Sequence, residues 1–431
     1  MKIITLLLSI LFFAGSALAQ GVPQCSMNTE PSRAEVVPYS RLADAVAGDV
    51  TSSPYVQTLS ERETSPDGFS VKATFAVPTS WLNRRVIIRV ERASSAFTVT
   101  VNDKEAGRAA SGAMAVELDV TRLVHQGGNT LTVALHPDAV ENAVSTMSAK
   151  PMIGKVMVIS QPALRIRDVV LSTTINDGGE AVAEFGVVVK CGTLNPKSAK
   201  VEYALHLNDS VLLTKGVREI TLDMRREDTL RFVARVPQTA LWSAESPHRL
   251  RLDMCNRIDG RVAECVSREV GVRHIENTPL GMRINNRPVA LHLADYDGMR
   301  PLDDVLVGNM NGVFVTADVA TEALLAECDR RGVYVFVCSP FDTSALPATI
   351  RRGGNPTNNP DWRTLALSLG EGAYHATKSH PSVVGYAIAR GSTNGIVIYE
   401  LYLRMKSLET SLPIVYEGYG GEWCSDRISF R

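Results

Sequence analysis

Residues 312–338 read GVFVTADVATEALLAECDRRGVYVFVC, and this stretch decides the fold of the last third of the chain. Val313–Val315 is a short apolar strand, and Val333–Val337 is a continuous apolar run, typical of a strand buried on both faces of a parallel sheet. Thr321–Arg331, which precedes Gly332, is predicted to be a helix because its apolar residues share one face: Ala323, Leu324, Leu325 and Cys328. A strand, a helix and a strand in this order predict a parallel βα unit.

The same alternation continues downstream. Helices are predicted at Trp362–Lys378 and Ile396–Ser407, and strands at Val383–Ile388 and Pro413–Tyr416. Roughly five or six βα units can be counted in this way, whereas a closed barrel has about eight. We therefore predict an incomplete TIM-type (β/α) barrel over residues 277–431.

Two upstream regions have the period-2 alternation of antiparallel sheets. In the first, turn signals separate strands predicted at Phe69–Phe75, Val86–Val90, Phe97–Val101 and Leu131–Leu135, which favours a β-sandwich. The second has short strands with no helical stretch between them, at Ile166–Leu171, Ala181–Val189, Ala199–Leu207, Thr229–Val236 and Arg249–Met254. This spacing predicts an immunoglobulin-like β-sandwich over residues 162–276.

The amino terminus is typical of a signal peptide over residues 1–20. Lys2 precedes an apolar run from Ile3 to Phe13, and Ala17-Leu18-Ala19 has the small residues of a cleavage site. The run is too short to span a bilayer, which needs about 20 residues, and no later segment predicts a transmembrane helix. We expect cleavage near Ala19 or Gln20 and a periplasmic or extracellular protein.

Charge and cysteine content narrow the possible partners. With 45 Lys and Arg residues against 46 Asp and Glu residues, the chain has no polybasic excess, so no nucleic-acid partner is predicted. Export permits disulfides, and the seven cysteines leave at least one thiol that is unpaired or joined to another chain. Cys255 and Cys265 flank a predicted hairpin turn and are the candidate disulfide. No C-x-x-C spacing occurs, so neither a metal site nor a cofactor is predicted.

In the order signal, sandwich, sandwich and α/β barrel, the chain resembles glycoside hydrolase family 2, in particular its β-galactosidases. The matching segments are Glu30–Ala34, Val37–Tyr39, Ser53–Ser60, Phe75–Trp81, Arg84–Val86, Ser95–Asn102, Leu118–Thr121, Gly128–Leu131, Ile284–Val289, Asn359–Trp362, His380–Val384 and Pro413–Gly418. By this resemblance, residues 21–161 are expected to form a jelly-roll sugar-binding-like domain.

The resemblance also implies that the hydrolytic residues have been lost. A retaining glycosidase needs two carboxyl groups about 5 Å apart. In the family, a glutamate acid/base closes the strand that follows His-Pro-Ser-Val, but here Gly391 holds that position, after Arg390. The nucleophile strand is expected to lie beyond the end of this sequence. Glu417 and Glu422 are late carboxylates, for which a loop-lining role is favoured over a catalytic one.

By the same resemblance, other positions that correspond to the family's pocket have also lost the family's charged residues. Val315 stands where the family has an arginine, and Cys338 lies where it has acidic residues. Cys338 is either a nucleophile or, as we favour, a half-buried thiol or disulfide partner. His380 is expected to orient its strand. His292, Asp295 and Asp297 are expected to follow the first barrel strand, where they either bind a sugar or a metal or are ordinary loop residues.

Three functional hypotheses follow. The first is an exported, catalytically inactive β-galactosidase-like protein that binds carbohydrate or acts as a scaffold. The second is a structural subunit of an exported or cell-envelope complex, in which a protein partner or self-association covers the open barrel edge. The third is a glycosidase that hydrolyses β-galactosides, which the glycine at position 391 opposes.

Overall fold

The structure is a computed structural model that describes residues 22–144, 150–176, 180–278, 281–349, 351–389, 392–416 and 423–428. The predicted signal peptide, Arg390, Gly391, Glu417 and Glu422 lie outside the described residues. None of the helices in the described part of the chain combines the length and apolar character needed to cross a bilayer. Single 3₁₀ turns lie at Val50–Ser52, Thr79–Trp81, Val140–Val144, Gln238–Ala240, Pro356–Asn358 and Pro360–Trp362.

The first ten strands form two antiparallel five-stranded sheets, ordered β1-β8-β5-β10-β2 and β3-β4-β9-β6-β7. Helix α1 (Leu42–Ala47) lies between the first two strands. Alternate residues of β4 are buried between the sheets, with Phe75 in the core beside Ile88 of the facing sheet. The strands are β1 (Thr29–Glu30), β2 (Val56–Thr58), β3 (Glu63–Thr64), β4 (Ser70–Val77), β5 (Arg85–Val90), β6 (Ala96–Val101), β7 (Lys104–Ala109), β8 (Val116–Asp119), β9 (Gly127–His136) and β10 (Val156–Gln161).

The next seven strands form a second sandwich, with sheets ordered β11-β12-β15 and β14-β13-β16-β17. Three against four antiparallel strands in this order make an immunoglobulin-like arrangement. Its core contains a stack in which the ring of Phe232 lies 5.0 Å from Phe185 and 3.8 Å from Tyr203. The strands are β11 (Leu164–Ile175), β12 (Ala181–Cys191), β13 (Lys197–Asn208), β14 (Val211–Leu222), β15 (Glu227–Val236), β16 (Leu250–Ile258) and β17 (Arg261–Val270).

A small antiparallel sheet, β18 (Ile275–Thr278), β19 (Gly281–Ile284) and β20 (Arg287–Val289), leads into the α/β part. There, five parallel strands lie in chain order, which is the arrangement of a partial TIM barrel. The strands are β21 (Leu293–Tyr296), β22 (Gly312–Thr316), β23 (Tyr334–Cys338), β24 (Val383–Ala387) and β25 (Ile414–Val415). The helices are α2 (Leu302–Val305), α3 (Glu322–Arg331), α4 (Arg363–Thr377) and α5 (Ile396–Leu408). The predicted fold class is confirmed.

The three parts are joined by buried polar contacts. The Trp242 indole, which follows the second sandwich's last 3₁₀ turn, donates to the carbonyl of Asp329 in α3 over 2.8 Å. Near the amino terminus, Tyr39 forms a β-bridge with Cys265 of the second sandwich. Strand β18 crosses the predicted boundary between residues 276 and 277. The boundaries at 161/162 and 276/277 stay predictions.

Candidate functional site

The carboxyl ends of the parallel strands are the face on which barrel enzymes place their active sites. Backbone hydrogen bonds connect the carboxyl ends of β22, β23 and β24. Ala317 donates to Cys338 and Ser339 donates to Ala387, each over 2.8 Å. The ends of these three strands therefore lie side by side, as they do at the mouth of a barrel.

The prediction that His292 follows the first barrel strand is wrong. Pairing with β22 begins at Leu293, so His292 precedes the strand and lies at its amino end. Its backbone N–H donates to Oδ1 of Asn311 over 2.8 Å. The four-residue strand Leu293–Tyr296 lies between His292 and Asp297, so only Asp297 follows it.

Asp295 and Asp297 do not join His292 in one site. Asp295 is exposed within β21, and Asp297 follows the strand, where its Oδ1 accepts a hydrogen bond from the backbone of Met299. The three side chains are thus distributed along the whole strand. Within the described ranges, no group of three or more His, Cys, Asp or Glu residues has the arrangement of a metal site.

The two changed pocket positions lie in the core. Val315 is 1% exposed and Cys338 is fully buried, so the expectation of a half-buried thiol is wrong. Both residues belong to the apolar core of the barrel part. Neither residue is accessible to a ligand.

His380 lies at the amino end of β24 and orients it. Its Nδ1 is 2.7 Å from Oδ2 of Asp329, and its Nε2 is 3.3 Å from Oε2 of Glu322. Burial favours the neutral imidazole, but the hydrogen bonds and charges of the two carboxylates outweigh burial and raise the pKa of His380 to about 9. Ser382 also donates to Asp329 over 2.6 Å, so the network holds the start of the strand in place.

Cys255 and Cys265 lie opposite each other on β16 and β17 and form a disulfide. The bond crosses the hairpin that the turn residues predict. It lies beside Tyr39 and Ala45, where the amino-terminal segment packs on the second sandwich.

Sequence reasoning missed a charged cleft of about 850 Å³ between the first sandwich, β17 and α3. Lys155 Nζ lies there 3.0 Å from Oε2 of Glu35 and 3.4 Å from Oε1 of Glu91. Burial raises the pKa of Glu91 to about 7, and the hydrogen bond with Glu35 adds to the shift. The pKa of Glu35 is lowered because that bond and the charges of Arg89 and Lys155 outweigh burial. Below about pH 7 and above the lowered pKa of Glu35, the two carboxyl groups therefore hold one proton between them.

An exposed aromatic ring was also missed. Trp423 is 60% exposed, and its ring lies 4.3 Å from that of Tyr399 in the first turn of α5. In a (β/α) barrel the amino ends of the helices lie on the same side as the strand ends. Residue spacing carries no signal for this contact or for the cleft, because the members of each come from separated segments.

The comparisons with known proteins agree with this architecture. The family model for the "Glycosyl hydrolases family 2, TIM barrel domain" matches residues 308–430. A β-galactosidase of Priestia megaterium is 22% identical over 374 residues, which cover 80% of this chain and 36% of the relative. A β-galactosidase of Psychromonas ingrahamii is 23% identical, with 83% and 36% covered.

Residues 308–430 thus match the barrel domain of glycoside hydrolase family 2, and this chain is similar to β-galactosidases. It spans about a third of the length of the curated relatives it matches. A putative β-galactosidase from Bacteroides fragilis has a similar fold, with a TM-score of 0.66 at 15% identity over 80% of this chain and 55% of that chain. A β-glucuronidase from Bacteroides uniformis also has a TM-score of 0.66, at 14% identity over 80% and 46%.

The resemblance predicts that the family's acid/base position falls on Gly391, which lies outside the described residues. Ala389 and Ser392, on either side of the undescribed pair, are buried. The Ser392 hydroxyl accepts a hydrogen bond from the backbone of Thr343 over 3.0 Å, and its carbonyl accepts one from the Tyr416 hydroxyl. These two contacts hold Ser392 in place.

Proposed function

We propose that this family 2 relative binds carbohydrate and does not hydrolyse glycosidic bonds. The observation that carries the proposal is Gly391, which stands where the family's acid/base glutamate closes the His380–Gly391 segment. Glycine has no side chain that can donate a proton to a leaving group, and this chemistry needs a carboxyl group at that point.

The neighbouring strand ends support the proposal. The carboxylate after β22, Asp318, is held by Arg92 of the first sandwich, with 3.3 Å between Oδ2 and Nη2. The segments after β23 and β24 continue with Ser339 and Ala389, both buried. Of these three residues only Asp318 carries a carboxyl group, whereas a retaining glycosidase needs two.

The proposal is tested with purified protein, an aryl β-galactoside and a glycan array. We expect release of the aryl group at the rate of the buffer blank, together with binding to at least one glycan. Matched variants Glu417→Gln and Glu422→Gln provide the control. If the wild type hydrolyses the aryl galactoside faster than the blank and either variant abolishes that activity, a late carboxylate is catalytic. This result would refute the proposal.

We further propose that the protein is exported by its amino-terminal segment. The apolar run Ile3–Phe13 and the small residues before Gln20 support this. Amino-terminal sequencing of the protein from the periplasm or medium is expected to begin at Gln20 or Gly21. Leu7→Arg should retain the protein in the cytoplasm, whereas equal export of this variant would contradict the proposal.

An assembly role is the second candidate, and the edge of the parallel sheet favours it. In the described part of the chain, β21 pairs with β22 alone. The segment after it exposes Met299 by 85%, Val307 by 62% and Met310 by 40%. An unpaired strand beside exposed apolar residues is a surface that another chain can cover.

Size-exclusion chromatography with light scattering tests this candidate. We expect an oligomer that the double substitution Met299→Glu and Val307→Glu converts to a monomer. A wild-type monomer over the micromolar range, with no partner co-purifying from the native host, would exclude self-association and leave carbohydrate binding as the function.

A further inference from the structure

The charged cleft has the size of a ligand site, and most of its walls lie beside α3 and not across the barrel mouth. Its volume of about 850 Å³ lies within the range of about 300–1,000 Å³ typical of small-molecule pockets. Its walls include Arg92 after β5, Arg268 in β17 and the outer side of α3 from Thr321 to Asp329. Because α3 packs outside the parallel sheet, most of the cleft lies beside the barrel, and it reaches the strand ends at Ala317 and Asp318, which follow β22.

Polar atoms in this cleft lack hydrogen-bond partners. The Asp318 side chain is 4% exposed and receives Nη2 of Arg92 on Oδ2, over 3.3 Å. Its other oxygen, Oδ1, is buried and has no partner among the described residues, and the same is true of Arg92 Nε and Arg268 Nη1. Leaving a buried charged group unsatisfied is costly, so these atoms need a partner that the described chain does not supply.

The unpartnered atoms indicate what such a partner must offer. Asp318 lacks a donor, and the two arginines lack acceptors. A hydroxyl group both donates and accepts, so adjacent hydroxyls satisfy both kinds of atom. A cation would satisfy only the carboxylate, and a simple anion would satisfy only the guanidinium groups.

The charges in the cleft favour a neutral ligand over a charged one. Lys155 is shared by Glu35 and Glu91, and Glu322 faces protonated His380. These groups are already neutralised by one another, so no single sign of charge dominates the walls. Apolar side chains lie between them and provide contacts for C–H groups: Ala113, Met114, Met152 and Ala323.

We propose that this cleft binds a neutral polyhydroxylated ligand, a saccharide unit, whose hydroxyls donate to Asp318 and accept from Arg92 and Arg268. The inference rests on the proposed carbohydrate-binding function and places it between the first sandwich and the outer face of the barrel. No chemical step on the ligand is involved.

Saturation-transfer difference NMR tests the proposal with lactose, cellobiose and maltose as neutral probes and digalacturonic acid as a charged probe. Calorimetry then gives the affinity of the best probe for the wild type and for variants. Ala323→Trp fills the cleft from an exposed position, and Asp318→Asn removes the charged acceptor. Trp423→Ala removes the exposed ring near the strand ends, and Asp361→Asn is a surface control. Thermal melts verify that each variant is folded.

We expect one neutral sugar to bind, with at least a tenfold loss of affinity in the two cleft variants and less than a twofold change in the others. If Trp423→Ala weakens binding and Ala323→Trp does not, the sugar binds outside the cleft. That result would refute the cleft as the binding site and leave the proposed function intact. If only the charged probe binds, the proposal that the ligand is neutral is refuted. The absence of binding by any sugar would refute the proposed function together with the cleft.

Discussion

At the scale of single residues, Glu117 is surrounded by three arginines that join the two sandwiches. Its carboxylate lies 2.8 Å from Arg89, 2.6 Å from Arg167 and 3.5 Å from Arg165. Burial would raise the pKa of Glu117, but the arginine charges outweigh it and hold the pKa well below its usual range. The carboxylate thus stays ionised in the interior because its neighbours compensate its charge.

We predict that Glu117→Gln lowers the free energy of unfolding by about 3 kcal/mol, because buried arginines lose their counter-charge. Urea unfolding near pH 7 measures this change. A group with a lowered folded pKa stabilises the fold above its unfolded pKa and loses that contribution as pH falls, so the difference should shrink below about pH 4. The control is Glu219→Gln in the exposed pair with Lys200, which is expected to leave the free energy of unfolding nearly unchanged because solvent screens the pair. Equal effects of the two substitutions would contradict the argument.

His380 provides a pH-dependent contribution of opposite sign. Its folded pKa of about 9 exceeds the usual value of 6.5, so the protonated ring stabilises the fold fully below about pH 6.5. That contribution is lost as pH rises from about 6.5 to 9, and it amounts to at most about 3 kcal/mol. Urea unfolding at several pH values should show the decline in the wild type and a flatter profile in His380→Asn. Parallel profiles would mean that the imidazole titrates normally in the folded state.

At the scale of elements, Gly332 ends α3 in a conformation that other residues rarely adopt. Its φ is +71°, its N–H bonds to the carbonyl of Cys328, and an added Cβ would lie 2.0 Å from the backbone oxygen of Ala244. The end of the helix is therefore fitted against the loop between β15 and β16 of the second sandwich.

We predict that Gly332→Ala destabilises the protein by about 3 kcal/mol or more, because strain at positive φ is added to a backbone clash. Gly353→Ala is the matched control, since φ is +79° and its Cβ would meet no described atom within 4 Å. That change should cost only about 1 kcal/mol. Thermal or urea unfolding compares the two, and a similar loss in both would show that contact with Ala244 is unimportant.

Sequence patterns located elements best where local signals agreed. Helix α3 was predicted to within one residue because Thr321 caps it, its apolar face is continuous and Gly332 ends it. Strand β14 was not predicted, because its residues are mostly exposed and lack a regular apolar alternation. The first barrel strand was misplaced for a related reason: β21 is an edge strand, and Leu293–Tyr296 has no strong apolar run.

At the scale of the whole molecule, Asp168 joins three parts of the chain. It lies in β11, 2% exposed, with Lys378 after α4 at 2.6 Å and Arg33 of the amino-terminal segment at 3.3 Å. We predict that Asp168→Asn costs about 3 kcal/mol by leaving buried Lys378 without a counter-charge. Calorimetry should show the barrel part unfolding before the sandwiches, whereas Asp361→Asn, on the surface, should leave one transition. A single, unshifted transition in Asp168→Asn would refute this coupling.

The candidate sites show that residues close in sequence need not be close in space, and that distant residues can meet. His292, Asp295 and Asp297 are close in sequence, yet β21 distributes them from one end of the strand to the other. The cleft instead unites Glu35, Glu91 and Asp318, which are too far apart in sequence for spacing to relate them. Paired charges and unpartnered atoms become visible only once the three parts are packed together.

The sequence by itself determined the fold class and the resemblance to family 2, because hydrophobic periodicity and helix caps are local and the family's motifs occur in a shared order. It also carries the prediction that a glycine holds the acid/base position, since that position follows from the register of the His380–Gly391 segment. Only the tertiary structure decided that Val315 and Cys338 are buried, that His292 lies at the amino end of its strand, and that a charged cleft lies beside α3. These properties depend on which distant surfaces exclude water from one another, and no local pattern encodes that contact.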